Sequence, residues 1–143
     1  FKAAMANYPN ITVLETQFND DDANKASAQV NAVVARAPDL AGIFGANLFS
    51  AIGSADGVKA MGKTGEIKVV AFDAPTRIVD DLKSGLVDLA IAQHPAEIGY
   101  MGVMVAFGHV TGNPVPVSVG TGFTVMTADN IDDPDISKYV YSD

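Results

Sequence analysis

Short apolar runs rich in β-branched residues recur along this chain, and segments of helical period separate them. ITVLET (11–16), LAGIFGA (40–46), IKVVAF (67–72) and VDLAIAQ (87–93) read as strands bounded by turn residues. Nearly unbroken apolar strands belong to parallel sheets buried on both faces, and parallel neighbours need a crossover, usually a helix. The intervening segments supply the helices. Ala23, Ala26, Val30, Val33, Val34 and Ala37 share one helical face. That helix opens behind Asp20, Asp21 and Asp22, whose charges suit the positive end of its dipole, and it stops at Pro38. A second helix is expected from about Leu48 to Met61, closed by Gly62, and a third from about Thr76 to Lys83, closed by Ser84 and Gly85. This alternation predicts an α/β fold with three αβα layers around a mostly parallel open sheet.

Composition narrows the function. At 143 residues and 48% hydrophobic, the chain has enough apolar material for one domain with a real core. Nine basic residues face 17 acidic ones, for a net charge of −8, so a phosphate-tracking surface and a nucleic-acid partner are not expected. The absence of cysteine removes disulfides, thiolate metal sites and cysteine nucleophiles. The apolar stretch 95–112 is shorter than the ~20 residues of a bilayer span and carries Glu97 and His109, so it reads as a buried helix. The opening FKAAMANYP, with no initiator Met or signal core, reads as a mature start or an excised piece.

Catalytic patterns are thin, and no enzyme, cofactor or metal is expected. GVKAMGKT (57–64) satisfies the phosphate-loop pattern G-x-x-x-x-G-K-[ST], which works only when a strand leads in and a helix leads out. Here a helix leads in and a strand leads out, so the stretch reads as a helix end and a charged turn. His94 and His109 have no carboxylate at ligand spacing. Ser50 and Ser54 fall inside a helix rather than on a nucleophile elbow, Asp80 and Asp81 read as a solvated helix face, and Asn10-Ile11-Thr12 is a formal glycosylation sequon.

The polar residues that remain are regularly placed. Asn47, Asp73 and Gln93 each stand at the carboxyl end of an expected parallel strand. Ligands of open parallel sheets bind outside that edge, so the three would converge on one crevice. Two amides and a carboxylate offer donors and acceptors suited to the hydroxyls of a small polyol. Taken singly, Asn47 and Asp73 also suit helix N-caps, and Gln93 a hinge or surface position.

With these residues in view, the chain resembles a known family. LAGIFGANLFSAIGSADGVKAMGK, IKVVAFDAPTRIVDDLKSGLVDLAIAQHPAEIGYMGVMVA and GFTVMTADNIDDPDISKYV are similar to the second lobe of ribose-type periplasmic substrate-binding proteins of ABC importers. The resemblance implies a periplasmic-binding-protein-like lobe over residues 1–143, with the first lobe absent and 95–112 a helix that crosses toward it. It implies that Asn47, Asp73 and Gln93 contact a sugar, that Gln93 and the two residues after it form a hinge, and that Phe18 stacks on the sugar or Asp21 accepts a hydroxyl. It also implies a membrane permease as partner and a periplasmic location, or a lipid-anchored extracellular one in a bacterium without an outer membrane. A chain with half its cleft missing is expected to bind sugar weakly and to self-associate as a homo-oligomer through the uncovered 95–112 helix. Many relatives have Asp after the Asn and Gly after the Asp, where this chain has Leu48 and Ala74, which implies a smaller polar network. The effector domain of a lactose-repressor-like regulator shares the motifs FGAN, AFD and IAQHP and is the alternative; its basic DNA-binding headpiece has no counterpart here.

Overall fold

In a computed structural model, residues 1–141 are described. The element order is α1 (Lys2–Met5), α2 (Ala23–Arg36), β1 (Gly42–Gly45), α3 (Leu48–Ala60), β2 (Lys68–Phe72), α4 (Thr76–Lys83), β3 (Leu89–Gln93), α5 (Pro95–Val110), β4 (Phe123–Met126) and α6 (Pro134–Ser137). The four strands form one sheet in the order β1-β2-β3-β4, with β1, β2 and β3 parallel and β4 antiparallel. The mostly parallel open sheet with flanking helices is the expected α/β class.

Because the parallel strands step across the sheet in one direction, their right-handed crossovers put α3 and α4 on the same face. Val69 and Ala71 of β2 and Ala90 and Ala92 of β3 point into that layer and are fully buried. They form one core with Ala51, Ala55 and Val58 of α3, Ile78 and Leu82 of α4, and Met126. The alternate residues Val70, Phe72, Leu89 and Ile91 are half-buried, so the two faces are covered unequally.

Local chemistry sets the helix ends much as expected. Asp22 caps α2 by accepting from Asn24 N (2.8 Å) and Lys25 N (3.1 Å), and Asn47 caps α3 by accepting from Ser50 N (2.9 Å). Past α3 the chain reverses at Gly62, φ +67°, a conformation that costs a β-carbon-bearing residue about 1 kcal/mol or more.

Four expectations are corrected. Residues 11–16 form no strand and lie exposed: among the described residues the edge strand β1 pairs with β2 alone, so the run has apolar residues but no ladder. Phe123–Met126, which periodicity alone did not single out, is a strand because it lies beside β3, with Gln93 opposite Phe123. The reading of 95–112 as a buried helix gives way to the uncovered helix that the resemblance implies: α5 buries none of its residues, and Tyr100, Val103, Met104, Phe107 and Val110 are all exposed. Among the described residues no helix is long and apolar enough to cross a membrane.

The fourth correction is Asp81, which is buried at 7% exposure while its neighbour Asp80 is exposed. One turn earlier on α4, Arg77 donates to Asp81 (2.8 Å) and also to Asp56 of α3 (2.6 Å). Burial pushes the Asp81 carboxyl above the usual carboxylate range, with the Arg77 hydrogen bond and charge drawing it partly back. The folded state therefore holds this proton more tightly than the unfolded chain, and the cost of a charged Asp81 is felt above its folded pKa and relieved as pH falls through it. Arg77→Met is expected to lower the unfolding free energy at neutral pH by about 1–3 kcal/mol, below the figure for a fully buried pair because Arg77 is 40% exposed. Urea titrations should show the deficit shrinking as pH falls through the raised folded pKa and at its smallest once pH is below the ordinary carboxylate range, where Asp81 is neutral in either state. A deficit independent of pH would mean that lost packing, not charge, is responsible.

Candidate functional site

The carboxyl ends of β1, β2 and β3 lie side by side, roughly 5 Å from strand to strand. The sequence-predicted residues stand on this edge. Asn47 follows β1, Asp73 follows β2 and Gln93 ends β3.

Asp73 and Gln93 are joined directly, the Gln93 carboxamide donating to Asp73 Oδ1 at 2.6 Å. Asp73 does not cap α4: the cap position is Pro75, with no side-chain capping bond. Its backbone has φ +79°, in the left-handed region that aspartate tolerates better than most residues but at a cost glycine does not incur. The turn is held on the far side by the C-terminal tail, where the Tyr141 hydroxyl accepts from Ala74 N (3.2 Å).

Asn47 serves twice. While its side-chain oxygen caps α3, its amide donates to Asp21. Asp20 and Asp21 both have positive φ (52° and 56°), and this turn presents Asp21 to Asn47. Behind it, Asn19 is buried at 8% exposure, donating to Asp22 O (3.0 Å) and accepting from Ser50 Oγ (2.9 Å). Phe18 is held by its backbone, its carbonyl accepting from Gln29 Nε2 at 2.9 Å, while the residue stays 75% exposed. The structure thus brings Asp21 to Asn47 and Asp73 to Gln93 on adjacent strand ends, and leaves Phe18 as an unpacked ring at the rim.

Each carboxylate spends one lone pair on an amide and keeps others free to accept. The only lysine of this turn, Lys25, is paired with Asp20. Such a surface accepts hydrogen bonds from neutral hydroxyls and repels anionic ligands. Among the described residues no group of three or more acidic or imidazole side chains could hold a metal ion.

In the sequence His94 reads as an unsupported zinc ligand, and the resemblance adds only that it lies in a hinge with Gln93 and Pro95. It is buried, and its ring stacks on Tyr139 (3.7 Å between centroids, 7° between planes). Its Nε2 lies 2.8 Å from Thr124 Oγ1 and its Nδ1 3.2 Å from Glu97. The Gly122 N–H donates to Glu97 (3.3 Å), and this bond, with that of His94, holds the Glu97 carboxyl below the usual carboxylate range. No local pattern could have exposed this cluster, because its members come from three separate stretches of chain, 94–97, 122–124 and Tyr139. Asn19 gave a faint signal, as a polar residue beside the helix-opening aspartates.

The family described as periplasmic binding protein domain matches residues 1–114. Among curated proteins, the D-allose-binding periplasmic protein of Escherichia coli is 29% identical over 81% of this chain and 38% of its own length, and the ribose import binding protein RbsB of Haemophilus influenzae is 31% identical over 80% and 39%. The chain thus spans less than half the length of the curated relatives it matches. A solved ABC transporter solute-binding protein from Agrobacterium vitis with bound α-D-tagatopyranose is 62% identical, with a TM-score of 0.94 over 99% of this chain and 48% of that one. A second from the same organism, with bound D-fucose, is 27% identical with a TM-score of 0.89 over 99% of this chain and 49% of that one.

Proposed function

From the premise that the chain belongs to the periplasmic binding protein family, we propose that it is one ligand-binding lobe of a sugar-binding component of an ABC importer, without catalytic activity. The observation that carries the reading is Asp73. A carboxylate kept at φ +79°, where glycine would be easier, and braced by Gln93, fits a ligand acceptor better than a structural role, because it caps no helix. Asn47, Asp73 and Gln93 contact the sugar, Asp21 accepts a further hydroxyl, and Phe18 supplies an apolar face for stacking.

The ligand is a neutral monosaccharide, captured between this lobe and another and presented to a membrane permease in the periplasm or at the outer cell surface. Nearly every hydroxyl must be paired on closure, since each unsatisfied buried group costs ~1–3 kcal/mol, and this penalty sets the selectivity. The sugars bound in the solved relatives and named for the curated ones make tagatose the first candidate, with fucose, allose and ribose as comparisons. Residues 95–110 belong on the side of the other lobe, which covers the exposed face of α5; in its absence that face favours self-association. Calorimetry of the two-lobed protein against these four sugars and a sugar phosphate tests the reading. Tight binding of one neutral sugar and none of the phosphate is the expected result; no binding of any neutral sugar, or a preference for the phosphate, would overturn it.

A further inference from the structure

The chain leaves the sheet after Gln93 to make α5 and returns at Phe123, the residue opposite Gln93 in the antiparallel register. Outgoing and returning segments therefore run side by side at the edge where the site lies. α5 buries none of its own residues, so the join between these segments governs how it stands relative to the sheet.

His94 occupies that join. Thr124, just inside β4, is 2.8 Å from its Nε2, and Tyr139 of the tail stacks on its ring. A β-carbon placed on Gly122 would stand 2.4 Å from Nδ1 and 2.6 Å from Cε1, so the imidazole fills the space that glycine leaves open. Glu97, in the first turn of α5, bonds both His94 and the Gly122 N–H. The outgoing segment, the returning segment and the tail meet on one ring immediately after the Gln93 that holds Asp73.

We propose that His94 is a positioning residue of the binding site: clamped by Thr124, Tyr139, Glu97 and Gly122, it welds the two crossing segments into one hinge and so sets both the angle of α5 and the direction in which Gln93 presents its amide. The second half of this proposal rests on the sugar-binding reading; the first half does not. A residue that only stabilised the fold would, when changed, lower stability and leave the hinge angle and ligand kinetics alone.

Two variants separate its contacts. His94→Phe keeps a ring on Tyr139 but loses both hydrogen bonds, and Thr124→Val removes one of those bonds while leaving the imidazole. The chain has no cysteine of its own, so spin labels on cysteines introduced at the exposed Asp80 of α4 and Val110 of α5 report the hinge by their distance distribution. Diluted with unlabelled chain so that distances between copies do not contribute, the chain should give one narrow distribution, and His94→Phe a distribution at least twice as broad. Thr124→Val should broaden it less and add nothing when combined with His94→Phe. Stopped-flow binding of tagatose to the two-lobed protein should show dissociation at least tenfold faster in His94→Phe, with association changed less than threefold. Unchanged distance distributions, or a His94→Phe protein that unfolds more easily yet releases sugar at the original rate, would overturn the proposal. If no sugar binds the unaltered protein while His94→Phe still broadens the distances, the ligand reading fails and the hinge assignment stands.

Discussion

Replacing Asp73 by glycine is expected to weaken sugar binding by the two-lobed protein roughly 10- to 150-fold while leaving its stability unchanged or slightly raised. The size follows from the ~1.5–3 kcal/mol net value of a hydrogen bond to a charged group, at 1.4 kcal/mol per tenfold in affinity. Glycine is the informative substitution because the backbone here has φ +79°. Glycine enters that conformation freely, so it removes the carboxylate without adding strain, which alanine would not do. Asp73→Asn makes a milder companion. Its amide oxygen can still accept from Gln93, and asparagine tolerates the same φ, so only the charge is lost and a roughly tenfold effect is expected. Calorimetry and urea denaturation on the same samples check both halves. An Asp73→Gly protein of undiminished affinity would make the Asp73–Gln93 bond a structural latch and remove Asp73 from the site.

The second large effect lies in the packing of α2 on α3. Gly53→Val is expected to cost at least ~3 kcal/mol, the upper end of the usual overpacking range. A β-carbon on Gly53 would lie 2.3 Å from the Ala23 carbonyl oxygen and 2.5 Å from Ala26 Cβ. Neither neighbour is a flexible side-chain end that could swing away. One turn on, a β-carbon on Gly57 would meet Val30 Cβ at 2.8 Å, so the helices can approach only where α3 has no side chain. Domains of this kind are stable by roughly 5–15 kcal/mol in total, so the loss is a large share of the whole. Gly99→Ala in α5, where a β-carbon meets nothing within 4 Å, is the control and should gain up to ~1 kcal/mol from helix propensity. Equal unfolding free energies for the two variants would rule out the tight crossing.

Gly57 also shows how a motif is decided by its surroundings. It opens the GVKAMGKT stretch whose spacing matches a phosphate loop, yet it is buried in α3 against Val30 and Ser27. The order of elements had already argued against phosphate, and the packing shows what the glycine is for: backbone approach between two helices.

What the sequence determined by itself is the local half of this protein. Helical period, the Asp22 and Asn47 caps, the turn at Gly62 and the three parallel strands depend on neighbours within a few residues, and they stand within a residue or two of where the pattern puts them. The regular placement of Asn47, Asp73 and Gln93 at strand ends was legible for the same reason. What lies across from a residue was not. The apolar run 11–16 looks like a strand but has no ladder to join, and Phe123–Met126 becomes one because β3 presents its edge there. Asp80 and Asp81 read alike as a solvated helix face, yet the packing of α4 and the bridge from Arg77 to Asp56 of α3 make one buried and leave the other exposed. The pairing of Asp73 with Gln93 and of Asn47 with Asp21, and the ring of partners around His94, join segments far apart in the chain. Propensity is a sum over near neighbours, whereas burial and hydrogen-bond pairing depend on which distant groups the folded backbone brings within reach, and those contacts exist only once the sheet has formed.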